Sequence, residues 1–181
     1  MATKLNIAKR FANIIDAAQG RMPRYHEDGL PQGRIALMSA LGIRVHRRDG
    51  SIEERGVVGR RCVTTAFTNY LVTVFSNSTT APLDTFKYHA PGSGTTAEAT
   101  GDTSMYTAVG ARGTGTNTAA TNVFTSVCTV TFTAAASITE HGLFNAATGV
   151  TLMDRTSFAA VSVASGDSIG FTYQLTATAG G

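Results

Sequence analysis

Hydrophobic and polar positions alternate most regularly near the C-terminal end. Ile169, Phe171, Tyr173, Leu175 and Ala177 fall on one side of a two-residue period, and Gly170, Thr172, Gln174, Thr176 and Thr178 on the other. Successive side chains of a strand point to opposite faces, so the pattern predicts a core strand over 168–178 with one apolar and one hydroxyl-rich face. Shorter alternations predict strands at 84–89, 105–111, 122–133, 137–144, 151–154 and 156–163. In the longest of these, Phe124, Cys128, Val130 and Phe132 share a face. The Gly/Ser/Thr-rich stretches 91–104 and 113–121 are expected to be loops.

Helical spacing governs the other end. Leu5, Ala8, Phe11, Ala12, Ile15 and Ala18 recur at three and four, predicting an amphipathic helix over 5–19 that Gly20 caps and Pro23 terminates. A second helical stripe, Cys62, Ala66, Phe67, Tyr70, Leu71, Val74 and Phe75, predicts a helix over 62–76 against a β-branched composition that favours strand. Between them, residues 20–60 mix Gly, Pro, Arg and acidic residues with short apolar runs. Asp49-Gly50 predicts a tight turn joining 43–47 to 51–57, and the rest resembles an extended arm that orders on a neighbour. The predicted fold is mainly β. A β-sandwich of jelly-roll type with a leading helix spans 62–181, preceded over 1–61 by a helix and an extended basic arm without which the body is expected to fold.

Composition sharpens this picture. A chain of 181 residues is long enough for one domain with a real core. Only 15% of residues are charged, against roughly a quarter in average soluble proteins, so the surface is either Thr/Ser-covered or buried against other subunits. Residues 1–61 hold twelve of the fifteen Lys/Arg and six of the twelve Asp/Glu, a net of +6, and the remainder carries −3. Asp28, Asp49, Glu53 and Glu54 interrupt the basic residues, so nucleic acid is not an expected partner. Cys62 and Cys128 form no framework, and Cys128 is expected to be a small buried side chain. The start of the chain lacks the apolar run of a signal peptide, and no stretch approaches the ~18 apolar residues of a membrane span; synthesis in a cytoplasm is expected.

Candidate chemistry is sparse. His26, His46, His89 and His141 show no metal-ligand spacing, and His89 is expected at a surface or interface. The loop 108–115 is rich in Gly but lacks the Gly-Lys-Ser/Thr ending of a phosphate cradle. No Gly-x-Ser-x-Gly elbow occurs. Glu140 and His141 are adjacent and on a strand would face opposite ways, while Glu140 and Arg155 are expected to form a structural ion pair. No enzyme activity, cofactor or metal is expected.

Two strings carry a resemblance: residues 85–103 (TFKYHAPGSGTTAEATGDT), and the series TVTF at 129–132, ITEHGLFN at 138–145, TLMDRT at 151–156 and GDSI at 166–169. Over about residues 60–178 the chain resembles small structural proteins of tailed-bacteriophage virions, a group that includes head-decoration and tail proteins. The resemblance implies a non-enzymatic, β-rich particle component. The expectation is a capsid decoration or cement protein, located in the virion after assembly in the host cytoplasm. It would stabilise the head by binding the major capsid protein or other virion proteins, as a homo-oligomer with a trimer expected from lattice symmetry. The arm would supply the partner-facing residues, expected to be Leu5, Phe11, Ile15, Arg21, Arg24, Arg34, Ile35, Leu37, Leu41, Arg47 and Arg48. The alternatives are a tail, neck or head–tail connecting component, or a receptor- or glycan-binding module of a fibre.

Overall fold

A computed structural model describes residues 34–60, 63–76 and 82–180. The predicted helix over 5–19 and Cys62 lie outside the described residues. The strands are β1 (Arg34–His46), β2 (Ile52–Gly59), β3 (Tyr88–Gly92), β4 (Gly113–Thr114), β5 (Thr116–Ala120), β6 (Val123–Thr131), β7 (Ala136–Phe144), β8 (Leu152–Val163) and β9 (Ser168–Gly180). One helix, α1 (Thr65–Ser76), and a 3-10 turn (Leu83–Thr85) lie between β2 and β3. Residues 37–176 form one compact unit, and the strand ends 34–36 and 177–180 group apart from it.

The fold is mainly β, with two antiparallel sheets ordered β2-β1-β9-β6-β5 and β4-β3-β7-β8. Their inner faces share one core. Leu41, Ile43 and Val45 enter it from β1, Ile169, Phe171, Tyr173 and Leu175 from β9, Ile138 and Leu143 from β7, and Met153, Val161 and Val163 from β8. The closing strand thus follows its predicted period through Leu175, with Thr172 and Gln174 exposed on the opposite face. A satellite cluster of Ala90, Phe144 and Leu152 lies apart, packed by Tyr88 and Met105.

Local chemistry explains the elements. Asp49 Oδ1 accepts hydrogen bonds from Ser51 N at 2.9 Å and Ser51 Oγ at 2.7 Å, and Gly50 takes φ +85°, which closes the predicted β1–β2 hairpin. Thr64 starts α1: its Oγ1 accepts Phe67 N at 3.1 Å and donates to Leu152 O, capping the helix and tying it to β8. Phe67 and Tyr70 then meet Phe86 edge-on, with ring centroids 5.1 and 5.0 Å apart. Among the described strands the chain crosses between sheets four times: β2 to β3, β4 to β5, β6 to β7, and β8 to β9. At the β4–β5 crossing, a Cβ on Gly115 would stand 2.7 Å from Val127 O and 2.9 Å from His89 Nε2, so only glycine fits.

Several expectations need correction. The stretch 37–59, placed in an arm, belongs to the body: β1 lies between β2 and β9, and its inner face is core. The stretch 105–111 is no strand, because the N–H groups of Tyr106 and Thr107 bond to the Glu140 carboxylate instead of a neighbouring strand. Part of 113–121, read as loop, forms β4 and β5, whose Thr/Ala sequence has no apolar alternation to mark it. The two short strands expected at 151–154 and 156–163 are one continuous β8.

These corrections reverse the expected behaviour of truncations. A chain beginning at Arg34 keeps every described strand of both sheets and should unfold in a single cooperative thermal transition. Removing 1–61 deletes two strands together with Leu41, Ile43 and Val45, and should abolish that transition. Leu41→Ala, at 0% exposure, should cost about 2–5 kcal/mol in urea unfolding.

Candidate functional site

Polar side chains gather at four places in the body. The first looks catalytic by residue type. His89 Nε2 lies 2.9 Å from Ser126 Oγ, and His89 Nδ1 lies 2.9 Å from His141 Nε2. All three residues are fully buried, and the Phe171 ring lies against both imidazoles. His141 Nδ1 has no hydrogen-bond partner. A buried orphaned N–H is costlier than an orphaned lone pair, which favours the tautomers in which His141 Nε2 donates to His89 and His89 Nε2 donates to Ser126. Burial pushes His89 down to about 3 and holds His141 well below its ordinary value, with His89 adding to the second shift. A serine and two neutral imidazoles at these distances could pass a proton, and all three are at 0% exposure. His89, expected at a surface, is therefore a core residue; β3 carries it inward opposite Leu143 of β7.

The second is a buried ion cluster on the opposite face of β7. Arg155 Nε donates to Glu140 Oε2 at 2.7 Å and Nη1 to Asp102 Oδ2 at 2.9 Å, while Nη2 donates to Thr96 O at 2.6 Å. Glu140 Oε1 accepts the N–H groups of Gly94 at 3.1 Å and Thr107 at 2.8 Å. The Arg155 guanidinium also stacks 4.4 Å from the centre of the Tyr106 ring. Burial alone would lower the Arg155 pKa, but its bonds to Glu140 and Asp102 outweigh that and raise it. The expected Glu140–Arg155 pair is present, and it fastens the loop 93–107 onto the sheet. A bulge between Ile138 and Glu140 turns Thr139 and Glu140 together toward Gly94, leaving His141 facing the core.

The third is Asp154, buried on β8 with Thr156 Oγ1 donating to its Oδ1 at 2.9 Å. Burial raises it to about 6, although the Ser39, Thr156 and Tyr173 hydroxyls partly offset the shift. The fourth joins the β1–β2 hairpin to the β8–β9 turn. Arg47 bridges Glu53 and Asp167 and donates to Ser162 O at 2.6 Å. Backbone N–H groups of Ala164 and Arg48, then the Arg47 side chain, hold the Asp167 carboxyl below its ordinary value.

The partner-facing residues expected from the sequence divide accordingly. Leu5, Phe11, Ile15, Arg21 and Arg24 lie outside the described residues, and Arg34 begins β1. Ile35 and Arg48 are exposed. Leu37 packs against the core, Leu41 is inside it, and Arg47 is committed to the internal bridge, so these three are structural residues and not free to meet a partner. The partner-facing residues expected from the sequence do not include the outer face of the five-stranded sheet. There a groove of about 380 Å³ runs past Ala40, Gly42, Val57, Val127, Gly170 and Thr172. Val57 is 52% exposed and Val127 46%, and Met38 on β1 is 58% exposed. The even positions of β1 carried the signal, since Met38, Ala40 and Gly42 alternate with buried Ser39 and Leu41.

Among the described residues, no helix is long and apolar enough to cross a membrane, and no group of three His, Cys, Asp or Glu residues is placed to hold a metal. Cys128 is a buried free thiol whose pKa burial raises. No protein-family model, curated protein sequence or solved structure matches the chain.

Two outcomes follow from the buried charges. Arg155→Met leaves Glu140 and Asp102 without their cation and should cost about 3–5 kcal/mol by chemical denaturation. It should also expose the loop 93–107 to proteolysis. The second outcome concerns pH. His89 and His141 bind protons in the unfolded chain below about 6.5 but resist them when folded, so their contribution is lost as pH falls below 6.5. Asp154 has the opposite sign: its folded value of about 6 exceeds the ordinary 3.8, so its contribution is present at low pH and lost as pH rises through 6. Between pH 4 and 6 two histidines oppose one carboxyl, so stability should fall on acidification. Asp154→Asn removes the opposing group and should steepen that fall in urea unfolding followed across this range.

Proposed function

We propose that the chain is a non-enzymatic structural protein of a tailed-bacteriophage virion, acting as a capsid decoration or cement protein. The string resemblance over residues 60–178 suggests the particle. The observation that carries the structural role is the outer face of the five-stranded sheet, where Met38, Val57 and Val127 expose apolar side chains around a shallow groove. A chain with so few charges that also exposes such a face is suited to contact with neighbouring subunits. The polar clusters support the same reading, because their side chains bind loops and turns to the sheets.

Attachment in this reading belongs to residues 1–33, whose basic and apolar pattern is that of a clamping arm, with the sheet face as a second contact. Major capsid protein is the partner, and the assembled form is a homo-oligomer, a trimer by lattice symmetry. The nested pairing of β6 with β9 and β7 with β8 supports a jelly-roll relation for that half of the body.

The test is particle binding and counting. Full-length chain should attach to particles lacking it, and density for it should be found on the head at hundreds of copies. The chain beginning at Arg34 should fold but bind weakly, and Val57→Asp with Val127→Asp should weaken binding further. A count of about six or twelve would move the protein to the tail or neck. Full attachment by the truncated chain would remove the arm from the mechanism.

A further inference from the structure

We propose that a cleft around Arg112 is a binding site for a carboxylate on a short apolar stem, supplied by a glutamate side chain of a neighbouring polypeptide. This goes beyond the virion reading and does not depend on it. The cleft, of about 500 Å³, lies beside the satellite cluster, with Ala90, Met105, Ala108, Ala111 and Ala147 as its apolar walls and Arg112 as its cation.

Arg112 is held in one pose. Its guanidinium lies 3.4 Å from the centre of the Phe144 ring, and Nη1 donates to Ala146 O at 2.7 Å and to Gly149 O at 2.9 Å. Those bonds pin the turn between β7 and β8, where Gly149 and Val150 both take positive φ. No carboxylate among the described residues pairs with Arg112. Arg155 has Glu140 and Asp102, Arg47 has Glu53 and Asp167, and the exposed Arg44 and Arg55 have Glu54 and Glu53. A half-buried guanidinium, fixed in place and without a counter-charge, is an open half of an ion pair.

The walls select the other half. One fixed cation among alanine and methionine, with Ser104 and Thr148 also in the lining, suits a monoanion with methylenes behind it, whereas phosphate groups are ordinarily met by several cations. Five carboxylates of the body are committed elsewhere: Asp102 and Glu140 to Arg155, Asp167 to Arg47, Asp154 to the interior, and Glu98 to the Ser157 hydroxyl. In the proposed contact the anion comes from another chain. Tyr106, next to the lining Met105, is 54% exposed, and Val150 is exposed beyond the pinned turn. An arginine flanked by exposed aromatic and apolar side chains is the make-up of a protein contact centre.

The experiment is a titration of the full chain with N-acetyl-glutamate N-methylamide, followed through the methyl NMR signals of Met105, Ala108 and Ala147. Saturable shifts are expected, with affinity about tenfold above that for the matching glutamine derivative. Arg112→Gln should abolish the difference between the two. Because Arg112 also pins a turn, Ala108→Phe provides the second variant: its exposed position tolerates the ring, which fills the cleft and should abolish binding at an unchanged melting temperature. Equal binding of the glutamate and glutamine derivatives, undiminished binding by Ala108→Phe, or tighter binding of inorganic phosphate would each overturn the proposal.

Discussion

Glu140 holds together parts of the body that apolar packing does not reach. Its carboxylate sits at 0% exposure with both oxygens occupied: Oε1 by the N–H groups of Gly94 and Thr107, Oε2 by Arg155 and the Tyr106 N–H. The loop 93–107 is nearly devoid of large apolar side chains and has no strand partner along most of its length. What it has is a buried anion and a buried cation presented by adjacent strands, β7 and β8. Each charge would be prohibitive alone, and each is tolerable only while the loop supplies donors and acceptors to complete its shell. Loop order and charge burial are therefore a single equilibrium. The Met105–Ala111 wall of the Arg112 cleft inherits its position from it.

The interior between the sheets is polar in a different way. His89, His141 and Ser126 form a neutral chain against Phe171, and Asp154 lies among hydroxyls within reach of β1 and β9. These groups sit where leucine or valine would contribute more to stability. What they contribute is direction, since each hydrogen bond fixes one strand relative to another.

The legible and illegible parts of the molecule follow from this division. Strands whose partner face is apolar could be read from alternation, as with Ile169, Phe171, Tyr173 and Leu175, and the Asp49-Gly50 turn announced its hairpin. The Glu140–Arg155 pair was legible too, because two opposite charges in otherwise apolar strands have few places to go. The depth of His89 was not legible, since its neighbours Lys87 and Tyr88 suggest a strand end and its partner Ser126 is 37 residues away. β1 was misjudged because Met38, Ala40 and Gly42 put small or apolar residues on the outer face as well. Its alternation was thereby blurred into an apolar run. Arg112 carried no signal, as a lone arginine in a Gly-rich stretch acquires meaning only from Phe144 and the carbonyls around it.

The bulge between Ile138 and Glu140 has a consequence for how β7 and β8 find each other. Thr139, Glu140 and His141 are three unlike residues in succession, two turned to the loop and one to the core. Sliding β7 by one residue would press Glu140 against Phe171 and leave His141 facing Arg155. Apolar strands can slip by two residues and still bury an oily face, but this strand cannot slip at all without stranding a charge. The polar triplet works as a proofreading mark, by which a refolding chain distinguishes the correct alignment from its near neighbours.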